Sequence, residues 1–208
     1  MARTGRPREF DKDAAVTRAM RLFWAHGYEA TSLSELKAAM GGISSASFYA
    51  AFGSKEALFR EVVGRYLSTH GQVTTPLRDA ALVPRVAIER TLRQSARMQT
   101  DFSHPLGCLV ALSTTSCSAE NRHLQKLLAT QRENDRAGFK ACIDRAIASG
   151  ELPAETNVDV LATLFSTFLL GLSIQARDGV TFTSLDSAVT ELMQIWDSRS
   201  IPPSRERE

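Results

Sequence analysis

The sequence of 208 residues predicts an all-α protein, and three observations carry that reading. Apolar residues recur three and four positions apart along nearly the whole chain, the period of one helix face. Several of these runs open on Ser, Thr or Pro and close on Gly, residues that suit helix starts and stops. Residues 160–176 carry no charge, as a helix buried in a bundle should. With 43% hydrophobic and 23% charged residues, 12 Gly, 7 Pro and 3 Cys, the composition excludes a disordered chain, a fibre and a disulfide scaffold. The expected organisation is a smaller helical unit over residues 1–70 with a basic arm over 1–9, a larger one over 71–199, and a tail over 200–208 without fixed structure.

The first helix is expected from Asp11 to Gly27, because Val16, Ala19, Met20 and Phe23 share one face. Ser32 followed by Glu35 forms a capping box for a second helix, with Leu33, Leu36 and Met40 buried and Gly41-Gly42 ending it. A third short helix starts at a serine cap after Ile43 and ends at Gly53. Ser54-Lys55-Glu56 opens a fourth, striped by Leu58, Phe59, Val62, Val63 and Tyr66. Residues 71–83 read as a connector. A helix from Pro84 to Phe102 follows, with Ile88, Leu92, Ala96 and Gln99 along one side. Cys108 to Cys117 is apolar and then rich in Ser and Thr. Residues 121–149 form a long helix that changes face, from Leu124, Leu127 and Leu128 to Phe139, Cys142, Ile143 and Ala146. The last two helices cover Val158 to Gln175 and a stripe of Leu185, Val189, Leu192, Met193 and Trp196.

Net charge is small, 25 basic against 23 acidic residues, but residues 1–70 hold 10 basic and 7 acidic side chains. Arg3, Arg6 and Arg8 precede the first acid. Helix, glycine turn, helix, flanked by supporting helices, is the pattern in which a second helix enters the major groove of DNA. That helix has no charge from Ile43 to Ser54. Its hydroxyls can reach base edges or phosphates, and its small side chains let the backbone come close. Lys55 sits at the next helix start, where backbone N–H groups also attract phosphate.

These residues carry a resemblance. Gly5-Arg6-Pro7, Ala19-Met20-Arg21-Leu22-Phe23, Gly27 to Ser32, Ile43-Ser44, Phe48-Tyr49 and Phe52 to Leu58 follow in unbroken order. The series is similar to the TetR/AcrR transcriptional regulators. The resemblance implies a homodimeric repressor with a three-helix helix-turn-helix DNA-binding domain and a larger helical domain for effector binding and dimerisation. It further implies a pseudopalindromic operator in double-stranded DNA and release by a small-molecule effector. Thr31, Tyr49 and Lys55 match the family's phosphate-contacting positions. Ser44, Ser45, Ser47 and Phe48 match its recognition helix, and Arg3 and Arg6 belong to the arm. Two positions depart: Ser45 stands where lysine is frequent, and Ala50-Ala51 where histidine or another polar residue is common. More of the recognition is then expected from the arm and from DNA shape.

An effector pocket is expected among Met98, Phe102, Leu112, Phe139, Phe165 and Phe168, large apolar side chains on helices around the centre of the second unit. A helix apolar on every side needs a cover. By the resemblance, that cover is the partner subunit's matching helices, through Leu164, Phe168, Gly171, Leu172, Leu185, Val189, Leu192 and Trp196; core packing within one subunit is the alternative. An isologous two-fold contact follows.

No apolar stretch follows the N-terminal arginines, so no secretory signal is expected and the chain should be cytoplasmic. Residues 160–176 fall short of the roughly 20 of a membrane span. Cys108, Cys117 and Cys142 lack metal-ligand spacing and should be small buried hydrophobes; His104 and Cys108 are separated by Pro105 and Gly107, against a metal pair. No metal or cofactor is expected. The enzyme reading lacks any GxSxG, HExxH or phosphate-loop pattern. A helical interaction or scaffold protein is the alternative, and it leaves the arm and the glycine-turn helix without a role.

Overall fold

The computed structural model describes residues 10–200; Arg3, Arg6 and the rest of the arm over 1–9, and the tail from residue 201, lie outside the described residues. The helices are α1 (Lys12–Ala30), α2 (Leu33–Ala39), α3 (Ser45–Phe52), α4 (Lys55–Ser68), α5 (Pro84–Gln99), α6 (Leu109–Leu112), α7 (Arg122–Ala148), α8 (Val158–Arg177) and α9 (Phe182–Asp197). No strand occurs among the described residues.

Local chemistry sets most boundaries. Asp11, Ser32, Ser44, Ser54, Asn157 and Thr181 each accept a backbone N–H from the first turn of α1, α2, α3, α4, α8 and α9. Such caps satisfy donors that the helix cannot. The Ser32–Glu35 capping box is complete: Ser32 Oγ accepts from Glu35 N at 3.1 Å, and Glu35 Oε2 from Ser32 N at 2.7 Å. Two expectations need correction. Gly27 does not end α1; it kinks the helix at φ 82° and ψ 171°, and the chain turns helical again through Ala30. The connector is not irregular either, since His70–Arg78 winds as 3₁₀ turns with Thr74, Pro76 and Leu77 buried. Leu77 fits because α7 has a glycine opposite it: a Cβ at Gly138 would lie 3.0 Å from Leu77 Cβ.

There are two cores. The first gathers α1 to α4 around Phe23, Trp24, Phe48, Phe59 and Tyr66, and it draws in Leu109, Val110, Leu124 and Leu128 from α6 and the start of α7. The second holds Ile88, Leu92, Phe139, Ile143, Phe165, Met193 and Trp196. α7 therefore changes face because it serves one core with its first turns and the other with its last.

The cores are joined around Trp24. Its Nε1 donates to the Gly107 carbonyl at 3.1 Å, its ring stacks on His104 with centroids 4.5 Å apart, and Tyr66 meets its face edge-on at 4.9 Å. Arg177 of α8 donates to the Trp24 carbonyl. After the Gly27 kink, Tyr28 N donates to the Ser113 carbonyl at 2.8 Å, while Ser113 Oγ donates to the Phe23 carbonyl at 3.2 Å.

Burial several of the expected residues receive decides their role. Leu172, Leu185, Val189, Leu192 and Trp196 lie in the second core of this chain, so their apolar surface is covered mainly from within it. The exposed apolar stripe of α8 is instead Val160, Leu164, Leu170 and Ile174, with Gly171 open beside it and Phe168 half-buried.

Gly107 combines φ 81° with a cramped site, because a Cβ there would lie 2.9 Å from the Ser173 carbonyl and 2.8 Å from Leu112. We expect Gly107→Ala to destabilise the protein by about 2 kcal/mol or more, read as a lower urea midpoint. His70 packs between Tyr66, Trp24 and His104, and burial, then the neighbouring His104, hold its pKa below the ordinary 6.5. The unfolded chain therefore binds this proton more readily than the folded one, and stability present above pH 6.5 is lost as the pH falls through the lower folded value. A urea series from pH 8 to pH 5 should show that loss, and His70→Gln should flatten it.

Candidate nucleic-acid interface

α3 is an eight-residue helix held by its two ends and two aromatic anchors. Ser44 caps it, accepting Ser47 N at 3.0 Å, and Gly53 at φ 74° closes it with its N–H on the Tyr49 carbonyl. Phe48 and Phe52, four residues apart, turn inward and pack against each other with centroids 5.4 Å apart. That fixes the opposite face outward: Ser44, Ser45, Ala46, Ser47, Tyr49 and Ala50 are all exposed. The surface offers hydroxyls and methyl groups with no acidic side chain among them, which suits close approach to a polyanion.

Positive charge comes from the flanking helices. Lys37, in the last turn of α2, donates from Nζ to Ser45 Oγ at 2.9 Å. The sequence reading missed Lys37, because a lysine near a helix end is ordinary in sequence and only the α2–α3 packing brings it to Ser45. It supplies charge beside the serine that stands where lysine is frequent in the resembled family. Lys55 opens α4 with Nζ 4.3 Å above the centre of the Tyr28 ring. Burial lowers its pKa, while Glu29 and Glu35 act in the opposite direction. The ring thus holds a half-buried ammonium at a helix N-terminus, where backbone N–H groups also favour an anion.

Two expected contacts are corrected by burial. Phe48 is fully buried, so its side chain is an anchor of α3 and not a base reader. Thr31 is also fully buried, and its hydroxyl donates to the Gly27 carbonyl at 2.7 Å across the kink; it fastens α1 and does not face outward. Tyr49, half exposed, keeps its hydroxyl available at the surface. Ser44, Ser45, Ser47 and Tyr49 are thus brought together on one face, with Lys37 added, while Lys55 stands at the start of α4 over the Tyr28 ring.

The second unit contains a cavity of about 40 Å³ between α4, α5, α6, α7 and α8. Of the expected pocket residues, Met98 lines it. Phe139 and Phe165 instead fill the second core, stacked with centroids 6.0 Å apart, and Phe102 is 89% exposed in the turn after α5. Leu112 and Phe168 lie off the cavity wall, Leu112 being packed toward Gly107. Large apolar residues were the wrong guide, because in a small domain they are needed for the core. The wall uses Ser95, Gln99, Val110, Ala111, Leu169 and Ser173 among smaller and polar side chains. Cys108 also lines it, with its thiol accepting from Tyr66 Oη at 3.2 Å and burial pushing its pKa up. No group of three or more His, Cys, Asp or Glu able to hold a metal occurs among the described residues.

Comparison with known proteins agrees with this geometry. The family model of bacterial regulatory proteins of the tetR family matches residues 16–62, and that of the tetracyclin repressor-like C-terminal domain matches residues 84–191. The HTH-type transcriptional repressor ComR of Escherichia coli (strain K12) is 31% identical over 196 residues, covering 92% of this chain and 91% of that protein. BdcR, an HTH-type transcriptional repressor of the same organism, is 31% identical over 182 residues, 87% of this chain and 86% of that one. A solved structure of the TetR family transcriptional regulator CifR, a cysteine mutant complexed with 26-base-pair operator DNA, is similar with a TM-score of 0.85 and 40% identity, covering 92% of this chain and 100% of that one. The chain belongs to the TetR family of bacterial transcriptional regulators, which are DNA-binding proteins and not enzymes.

Proposed function

We propose that the protein is a cytoplasmic repressor that binds a pseudopalindromic operator as a homodimer and leaves it when a small molecule occupies the cavity of the second unit. The observation that carries this reading is the acid-free outward face of α3 between Lys37 and Lys55. In the groove, Ser44, Ser45 and Ser47 are placed for base edges, and Tyr49, Lys37 and Lys55 for phosphates; Arg3 and Arg6 of the arm extend the contact.

The dimer follows from α8. Val158–Arg177 is long and apolar enough to cross a membrane, yet its inner face packs on α5 and α7. What remains outside is the stripe of Val160, Leu164, Leu170 and Ile174. A second copy related by a two-fold axis covers that stripe with its own equivalent and sets two α3 helices toward one duplex.

Release follows from α6. Val110 and Ala111 form part of the cavity wall, and the same segment offers Gly107 O to Trp24 and Ser113 O to Tyr28. A ligand that displaces α6 therefore moves the acceptors that hold α1. Glu29, one residue after Tyr28, adds to the junction by accepting from Ser118 N at 2.7 Å and Asn121 Nδ2 at 2.9 Å. A coupling of about 1–3 kcal/mol between cavity and head lowers operator affinity by roughly 5–150-fold.

The reading is tested by duplex binding, with the DNA upstream of the protein's own gene, a scrambled competitor and a salt series. Lys55→Ala should weaken binding to both duplexes and reduce the salt slope by about one per subunit, whereas Ser47→Ala should change the preference among operator variants. An unchanged slope removes Lys55 from the phosphate contacts, and equal losses on every sequence remove Ser47 from base reading. Ile174→Glu should give a folded monomer in sedimentation that has lost operator binding. A dimer of wild-type affinity from that variant contradicts the α8 interface.

A further inference from the structure

Lys55 stands near the glutamates Glu29, Glu35 and Glu56 and pairs with none of them. Its Nζ rests 4.3 Å above the centre of the Tyr28 ring, and no ion pair of Lys55 occurs among the described residues. The acids are close enough to be felt. Burial lowers the Lys55 pKa while Glu29 and Glu35 raise it, and burial, then Glu56 and Glu29, raises that of Tyr28.

Each of these carboxylates is bound to another donor. Glu35 Oε2 accepts from Ser32 N at 2.7 Å, within the first unit. The other two are taken by one segment of the second unit, residues 118–123. Glu29 Oε1 accepts from Ser118 N at 2.7 Å and from Asn121 Nδ2 at 2.9 Å. His123 Nε2 lies 3.0 Å from Glu56 Oε2, and Arg60 Nε, one turn along α4, donates to Glu56 Oε1 at 3.0 Å. Asn121 gives up a local bond to do this. An asparagine just before a helix ordinarily accepts a backbone N–H of the first turn. Asn121 precedes α7, yet its side chain makes no such cap and turns its amide to Glu29.

A carboxylate released beside Lys55 would compete with phosphate for the same ammonium, and its charge would repel the phosphate directly. We propose that Asn121 and His123 are positioning residues for DNA binding, which hold the Glu29 and Glu56 carboxylates and so keep the Lys55 ammonium open to a phosphate. The proposal rests on the reading of Lys55 as a phosphate contact given above. Asn121 and His123 act through the two acids, so the second unit controls the charge available at the first without moving α3.

The test is operator binding across a salt series by the full-length protein, by Asn121→Ala combined with His123→Ala, and by each of these with Glu29→Gln and Glu56→Gln added. Loss of the two holding side chains should weaken binding roughly fivefold for a dimer and lower the salt slope by up to about one per subunit. The glutamines should recover that loss, and should gain clearly less when added to the wild type. Unchanged affinity in the Asn121→Ala, His123→Ala variant overturns the proposal. So does a loss that the glutamines leave in place, the result of a merely structural role, or a gain of equal size in both backgrounds, the result of general repulsion. His123 is exposed, so His123→Ala with and without Glu56→Gln carries the same comparison should the combined variant fail to fold. Lys55→Ala on the same duplex separates the two readings. An unchanged slope there removes the phosphate contact and the proposal with it, whereas a reduced slope alongside an unaffected Asn121→Ala, His123→Ala variant overturns the proposal alone.

Discussion

The structure depends on one short segment serving two masters. Residues 107–113 give backbone acceptors to α1, Gly107 O to the Trp24 indole and Ser113 O to the Tyr28 amide, and they also form part of the cavity wall through Cys108, Val110 and Ala111. A backbone carbonyl cannot be moved without moving the chain that bears it, so the same few residues set both the shape of the cavity and the seat of the first helix. The two glycines at this junction are there for space and conformation. Gly27 and Gly107 both have positive φ, and each would press a Cβ against a backbone carbonyl, Ser113 O at 3.2 Å and Ser173 O at 2.9 Å. Aromatic packing around Trp24 stiffens the contact, each such pair adding about 0.5–1.5 kcal/mol beyond the area it buries.

The recognition face is built by division of labour. α3 has only eight residues, too few to be stable alone, and its two phenylalanines bind it to the first core. Burying Phe48 and Phe52 is what aims Ser44, Ser45, Ser47 and Tyr49 outward. Because α3 has no charge, phosphate attraction falls to side chains of its neighbours, Lys37 from α2 and Lys55 from α4. Charge and hydroxyl chemistry are thereby separated, with sequence-independent attraction at the rim and base-reading groups at the centre.

Much of this was readable in the sequence, and the failures share a cause. Helix starts were visible where a side chain caps its own first turn, as at Ser32 and Ser54, because that interaction is local. The change of face along α7 was visible because two apolar periods succeed each other. What escaped were relations between segments. Lys37 meets Ser45 only through tertiary packing. Thr31 matched a phosphate-contacting position, yet the kink at Gly27 turns its hydroxyl inward. In α8 and α9, apolar periodicity showed which residues need cover but not whether the cover is the same subunit or a second one. Trp196 and Val189 found it at home, while Leu164 and Ile174 did not. The cavity was missed because its wall combines small and polar residues such as Ser95 and Ser173, whose sequence signal is slight.

The central claim is that the cavity segment and the DNA-binding head act as one linked unit. Amide hydrogen exchange, measured on the protein free and bound to a duplex that it recognises, addresses this most directly. The account predicts slower exchange on DNA binding in α3, at the start of α4 and at Tyr28, whose ring underlies Lys55, and also across residues 107–121, which lie away from the recognition face but hold α1 in place. Protection confined to residues 31–55, with Tyr28 and the 107–121 segment exchanging as in the free protein, would contradict it.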